Sequence, residues 1–156
     1  MHRIVPHFWA AAVGVALTFL GLIGPWAKIT SFISISVTGF DTDDGKFFAL
    51  GAAAAGVFLA WYALQKRTAL PLALAAILGL LITAGGGYYL FEVGSRISEV
   101  ESEFAQASIG WGLYATTLGG LAILAGSLLT LRESRKASPV LEGGAARTPL
   151  LPPVQR

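Results

Sequence analysis

The run Ala69–Phe91 (ALPLALAAILGLLITAGGGYYLF) holds 23 consecutive residues without a charge. At about 1.5 Å of rise per residue, a helix of that length crosses the roughly 30 Å hydrocarbon core of a bilayer with some tilt. Lipid supplies no water to an exposed backbone, so the neighbours of such a helix are more helices or a closed barrel. The other apolar runs are too long for barrel strands. The sequence therefore specifies an all-α integral membrane protein.

Three further uncharged runs, Phe8–Trp26, Phe47–Leu64 and Ile109–Leu131, complete a four-helix transmembrane bundle with spans of about 8–26, 47–64, 69–91 and 109–131. The bundle forms one membrane domain over 1–131, interrupted by exterior loops at 27–46 and 92–108. A basic, Gly- and Pro-broken tail over 132–156 is expected to be disordered. The basic head at Arg3 ahead of Phe8–Gly24 also fits a signal peptide. Its length matches a spanning helix, however, and Pro25-Trp26-Ala27 is a poor cleavage site, so it is read as a retained first span. Phe8, Trp9, Trp26, Trp61, Tyr62, Tyr88, Tyr89, Trp111 and Tyr114 lie near span ends, where aromatic belts form.

Charge decides orientation. The amino terminus, the 65–68 connection and the tail together hold eight basic and two acidic residues, against three basic and seven acidic in the two loops. Their formal charges are thus +6 and −4. The positive-inside rule then places both termini in the cytoplasm and an acidic lid outside the membrane.

Composition also narrows the chemistry. There is no cysteine, and both histidines, His2 and His7, lie at the amino terminus, so neither a disulfide framework nor a zinc site by His/Cys ligation is expected. No Asp, Glu, Lys, Arg or His falls within the four runs, whereas proton relays, coupled transporters and voltage sensors place such groups near mid-membrane. The hydroxyls inside the spans, Thr18, Thr83, Thr116, Thr117, Ser127 and Thr130, are expected to bond back to their own helices. No catalytic constellation, cofactor site, nucleic-acid surface or small-molecule substrate site is legible, and the reading is of a protein that is not an enzyme.

The loops carry two patterned stretches. In Lys28–Thr38, Ile29, Ile33, Ile35 and Val37 alternate with Ser34, Ser36 and Thr38, which is a half-buried strand in need of a partner. Between Ile97 and Ala107, residues Ile97, Val100, Phe104 and Ala107 line one side of a helical wheel opposite Glu99 and Glu103, which reads as a short amphipathic helix after a break at Gly94-Ser95. The two apolar faces, with Ile33, Ile35, Val37, Ile97, Val100 and Phe104 at their centre, are expected to meet in a small exterior lid of one or two strands plus that helix, or to present a partner face. Asp41, Asp43 and Asp44 read as turn and helix-capping acids. The alternative is a cation site, although their spacing falls one residue short of an EF-hand loop.

Small residues recur every four positions at Ala10/Gly14/Thr18, Gly51/Ala55, Ala52/Gly56, Thr83/Gly87, Gly112/Thr116/Gly120 and Ala122/Gly126. Such positions let helix backbones approach in lipid. Gly14, Gly51, Gly56, Gly87, Gly112, Gly120 and Gly126 are the candidate packing residues, within one chain or between copies.

Gly24-Pro25-Trp26, the loop close Val37-Thr38-Gly39-Phe40-Asp41-Thr42-Asp43-Asp44-Gly45, and Gly110-Trp111-Gly112-Leu113-Tyr114 together resemble a group of small four-span membrane proteins of actinobacteria, largely of unknown role. The resemblance covers the topology of most of the chain, excluding its tail, and implies the same four-span fold. Two functions remain open on the residues alone. One is a non-enzymatic adaptor or accessory subunit binding a protein partner through its acidic lid or basic tail. The other is an oligomeric pore or membrane-perturbing effector of the holin or phage-exclusion kind.

Overall fold

A computed structural model describes residues 6–30, 34–65, 68–100 and 106–136. Its elements are α1 Pro6–Ile23, β1 Pro25–Thr30, β2 Ser34–Thr38, α2 Asp43–Gln65, α3 Leu70–Val100, β3 Gln106–Ile109 and α4 Trp111–Lys136, with a 3₁₀ turn at Gly39–Asp41 before α2. Four helices are long and apolar enough to cross a membrane, with α3 qualifying over Leu70–Ser95. Local chemistry sets their ends. Pro6 and Pro71 stand in the first turns of α1 and α3, where the missing N–H has no intrahelical partner to lose. Asp43 and Asp44 face the positive end of the α2 dipole, and Arg135 and Lys136 face the negative end of α4.

Each helix packs on two others, α1 on α2 and α4, and α3 on α2 and α4, giving a bundle with α4 as its most enclosed member. The buried side chains fall in three layers. Ala11, Leu59, Leu72 and Ala75 close one end, Ala52, Ala55, Ile82 and Ile123 fill the middle, and Leu22, Trp26 and Leu113 close the end beneath the strands.

The strands form one antiparallel sheet in the order β2-β1-β3. Lys28 pairs with Ser36 on one side and Ser108 on the other, and Ile29 pairs with Ile35 and Ala107. The alternating stretch 28–38 is thus not one strand but a hairpin, and the second loop supplies its third strand. Ala27, Val37 and Ile109 are half-buried, while Lys28, Ser36 and Ser108 are exposed, so one face of the sheet lies on the protein and the other meets solvent.

Three boundaries differ from those expected. No break occurs at Gly94-Ser95: α3 runs on to Val100, and Ser95 Oγ donates to Glu92 O within it at 2.8 Å. A helical glycine costs only about 1 kcal/mol, too little to end a long helix. The amphipathic helix expected over 97–107 is divided, its first residues finishing α3 and Gln106–Ile109 forming β3. Four residues are too few to fix a period, and the open side of β1 offers them a full set of backbone partners. Finally, α4 continues through Arg132 to Lys136, into the stretch expected to be disordered; the rest of that tail lies outside the described residues.

Candidate functional site

The helices that carry the lid are held by glycine. A β-carbon at Gly14 would stand 2.7 Å from Gly119 O and from Ile123 N, and one at Gly126 would stand 2.5 Å from Ala11 N. At Gly112 it would stand 2.5 Å from Gly21 O. These approaches run antiparallel along α1 and α4, and their glycines repeat every seven residues: Gly14 and Gly21 on one helix, Gly112, Gly119 and Gly126 on the other. A second seam joins α3 to α4, with Gly79 facing Leu124 N at 2.6 Å and Gly120 facing Ile82 Cγ2 at 2.7 Å. Backbones this close gain dispersion contacts that a side chain would forbid.

Of the seven glycines singled out from sequence, Gly14, Gly112, Gly120 and Gly126 stand at these backbone contacts. Gly51 and Gly56 make ordinary contacts on α2, to Ile82 at 3.7 Å and Val15 at 3.6 Å. At Gly87 nothing among the described residues lies within 4 Å of the β-carbon position, so no packing within the chain is seen there. Gly21, Gly79 and Gly119 were missed. The seven-residue interval linking Gly112, Gly119 and Gly126 is the sequence signal for this seam, and a four-residue spacing does not contain it.

Span hydroxyls spend their donors locally. Thr18, Thr83, Thr116 and Thr130 donate to the carbonyls of Gly14, Gly79, Gly112 and Gly126, at 2.7–2.9 Å, and Thr117 donates to Leu113 O at 2.9 Å. Ser127 Oγ is buried and is the one buried side-chain polar atom without a partner among the described residues.

At the strand end, Trp26 is the keystone of the lid's seat. The pairing of β1 with β2 shifts register between Pro25 and Ala27, a bulge that turns Trp26 inward. Trp26 is 5% exposed, and its Nε1 donates to Gly21 O at 3.1 Å. Its ring centroid lies 5.7 Å from that of Phe48 and 5.9 Å from that of Tyr89. Gly39 lies on the indole, where a β-carbon would come within 2.8 Å of Trp26 Nε1. Trp26 and Tyr89, expected near span ends, pack at the strand end of the bundle, Trp26 buried and Tyr89 half-buried. Trp9, Trp111, Tyr88 and Tyr114 remain exposed on the outer surface.

The lid's acids act as a turn. Asp41 Oδ2 accepts from Thr38 N at 2.9 Å and from Thr38 Oγ1 at 2.8 Å. Thr42 Oγ1 donates to Gly39 O and accepts from Gly45 N, and Asp43 pairs with Lys46 at 2.6 Å. The bond from the Thr38 backbone, then that from its hydroxyl, holds the Asp41 carboxyl below its ordinary value. Among the described residues no three His, Cys, Asp or Glu side chains converge as metal ligands.

Of the lid residues singled out from sequence, Ile35 is 57% exposed and Val37 half-buried on β2. Ile33, Phe104 and the side chains of Ile97 and Val100 lie outside the described residues. A β-carbon at Gly94 would stand 3.9 Å from Ile109 Cδ1, and β3 packs on the end of α3. The opposite end of the bundle carries a polar clasp, with His7 Nε2 3.3 Å from Glu133 Oε1 and Tyr62 Oη 2.9 Å from Ser134 Oγ.

Compared with known protein families, with curated proteins and with solved structures, the chain matches none.

Proposed function

We propose that this chain is a multi-pass protein of a bacterial cytoplasmic membrane, with both termini in the cytoplasm, that works without catalysis as an adaptor or accessory subunit. Its acidic exterior lid recruits a protein partner. The observation that carries this reading is the sheet itself: strands from two separate loops are joined into one platform, seated on Trp26 and on a bundle locked by glycine seams. Such a platform presents exposed polar groups, Lys28, Ser36 and Ser108, on a fixed support, which is what a recognition surface requires.

The glycine stripes, which from sequence also suited an oligomeric pore, are occupied in large part by contacts within the chain. The threonine hydroxyls of the spans bond to their own helices. Both points favour the adaptor over the pore. A membrane position with the lid outside is supported by the formal charges of −4 on the loops and +6 on the other side.

The reading is tested in cells. Cysteine at Ser36 or Ser108 should react with an impermeant maleimide and cysteine at Ser138 should not; the reverse pattern overturns the orientation. A photo-crosslinking residue at Ser108 should trap one discrete protein adduct, whereas labelling at Trp9, on the lipid side, should trap none. Absence of any adduct from the lid removes the adaptor reading.

A further inference from the structure

The sheet has two outer edges, and the structure treats them differently. β3 packs against α3, whereas β2 has β1 as its extensive strand or helix neighbour among the described elements. Natural sheets blunt an open edge with lysine, proline or a bulge. Ser34–Thr38, read SISVT, has none of these, and the bulge of the hairpin lies in β1.

The backbone groups that this edge exposes follow from two hydrogen bonds. Gly110 N donates to Trp26 O at 2.8 Å, so the alternate residues Trp26, Lys28 and Thr30 direct their main chain toward β3. Ala27 and Ile29 therefore bond to Val37 and Ile35, which leaves the N–H and C=O of Ser34 and Ser36 pointing away from β1. The second bond agrees: Thr38 N, next in the same alternation, is capped by the Asp41 carboxylate rather than by β1. Beside these outward groups stands Ile35, 57% exposed at a margin of the sheet that no other described strand covers. At the Thr38 end stand the exposed carboxylates of Asp41, Asp43 and Asp44, with Lys46 engaged by Asp43.

We propose that the free edge of β2 is a docking site for an extended, basic segment of a partner protein, which adds as a fourth strand beside Ser34–Thr38. The inference rests on the lid being a partner surface and names how it binds. Main-chain bonds to Ser34 and Ser36 supply the pairing, Ile35 meets an apolar side chain of the incoming strand, and the Asp41–Asp44 carboxylates select Lys or Arg at one end. A second copy of this chain is a poorer occupant because its own Ser34–Thr38 strand carries no Lys or Arg to meet these carboxylates.

The test uses the full chain in detergent micelles and three blocked peptides: one alternating Val and Lys, one alternating Val and Glu, and the Val/Lys peptide N-methylated along one edge. Amide exchange is followed at Ser34 and Ser36. The Val/Lys peptide should slow exchange there by about tenfold or more, and the other two should not. Ser36→Pro removes an outward N–H while sparing the bonds of Ile35 and Val37 to β1, so it should weaken binding at least about tenfold with Gly110 protection unchanged. Equal protection by the Val/Lys and Val/Glu peptides, no protection by any of the three, or undiminished binding to Ser36→Pro overturns the proposal. So does concentration-dependent protection without peptide, which would make the occupant a second copy. If the Ser108 adduct forms in cells carrying Ser36→Pro, the edge is not the site but the adaptor reading stands. If no lid position yields an adduct in the parent protein, the adaptor reading itself has failed.

Discussion

Helices α4 and α2 are both long and apolar enough to cross a membrane but attach to the bundle by opposite means. Half of the most apolar window of α4 is buried within the protein, against 17% of that of α2. On α4, glycine removes side chains so that backbone meets backbone, along α1 at Gly112, Gly119 and Gly126 and along α3 at Gly120. Within the span of α2, Gly51 and Gly56 make only ordinary contacts, and the helix is held there by side chains that reach inward: Phe48 into the notch at Gly85, Leu59 into the core, and Phe58 and Tyr62 at its margin. Its other side offers Phe47, Leu50, Val57 and Leu64 to the surroundings. The difference teaches that, in an environment as apolar as the helices themselves, hydrophobicity does not choose partners. Shape does.

The comparison breaks most sharply at Gly119. A β-carbon there would stand 2.6 Å from Thr18 N and 2.7 Å from Gly14 O, backbone atoms that cannot turn aside. Gly119→Leu should cost about 3 kcal/mol or more, read as a fall in the thermal midpoint in detergent, while Gly56→Leu on α2 should cost less than about 1 kcal/mol. Equal effects would erase the distinction between the helices.

Attachment by side chain predicts a cavity effect on α2. Phe48→Ala empties the notch at Gly85 and removes a ring 5.7 Å from Trp26 and 6.1 Å from Tyr89. Stability should fall by about 2–3 kcal/mol, less than for a fully enclosed ring, and protease should reach the 39–45 turn before the rest of the chain opens. Loss of the whole bundle in one step would show that α2 is as integral as α4.

Not every helical glycine is a contact, and Gly87 supplies the control. With nothing near its β-carbon position, Gly87→Ala should raise stability by about 0.5–1 kcal/mol through helix propensity alone, and Gly87→Leu should be tolerated. A loss of stability would mean that a second copy packs on that side of α3.

The smallest effect concerns the turn that leads into α2. Asp41 is ionised more readily when folded, because Thr38 donates to its carboxylate. Its contribution is present above the ordinary value of 3.8 and is lost as pH falls through the lower folded value. Acid unfolding of the parent protein should therefore show a slight stability decline in that window that Asp41→Asn lacks. Identical profiles would leave the Thr38 bonds without energetic weight.

The sequence by itself determined what depends on neighbours along the chain. Four uncharged runs long enough to cross a bilayer require four helices, and the observed helices enclose the expected spans apart from a residue or two at their starts and the end of the first, where Ile23 precedes the Gly24-Pro25 break. The period-two alternation at 28–38 required strand, and the acids at 41–44 required a turn and a helix start. What only the tertiary structure decided depends on residues remote in sequence. Gln106–Ile109 is too short to declare a period and becomes strand because β1, eighty residues earlier, leaves an open side in register. Ile33 and Phe104, expected in a lid contact, lie outside the described residues, whereas the described link between the loops is made by backbone. Trp26 reads locally as an interfacial aromatic and is buried because a bulge turns it toward Phe48 and Tyr89. The glycines were all visible, but glycine every four residues marks any helix face that can be approached. Which faces are approached, Gly14 and Gly119 but not Gly87, is settled only when α4 is placed between α1 and α3, because close contact is a property of two surfaces and the sequence of either one specifies only half of it.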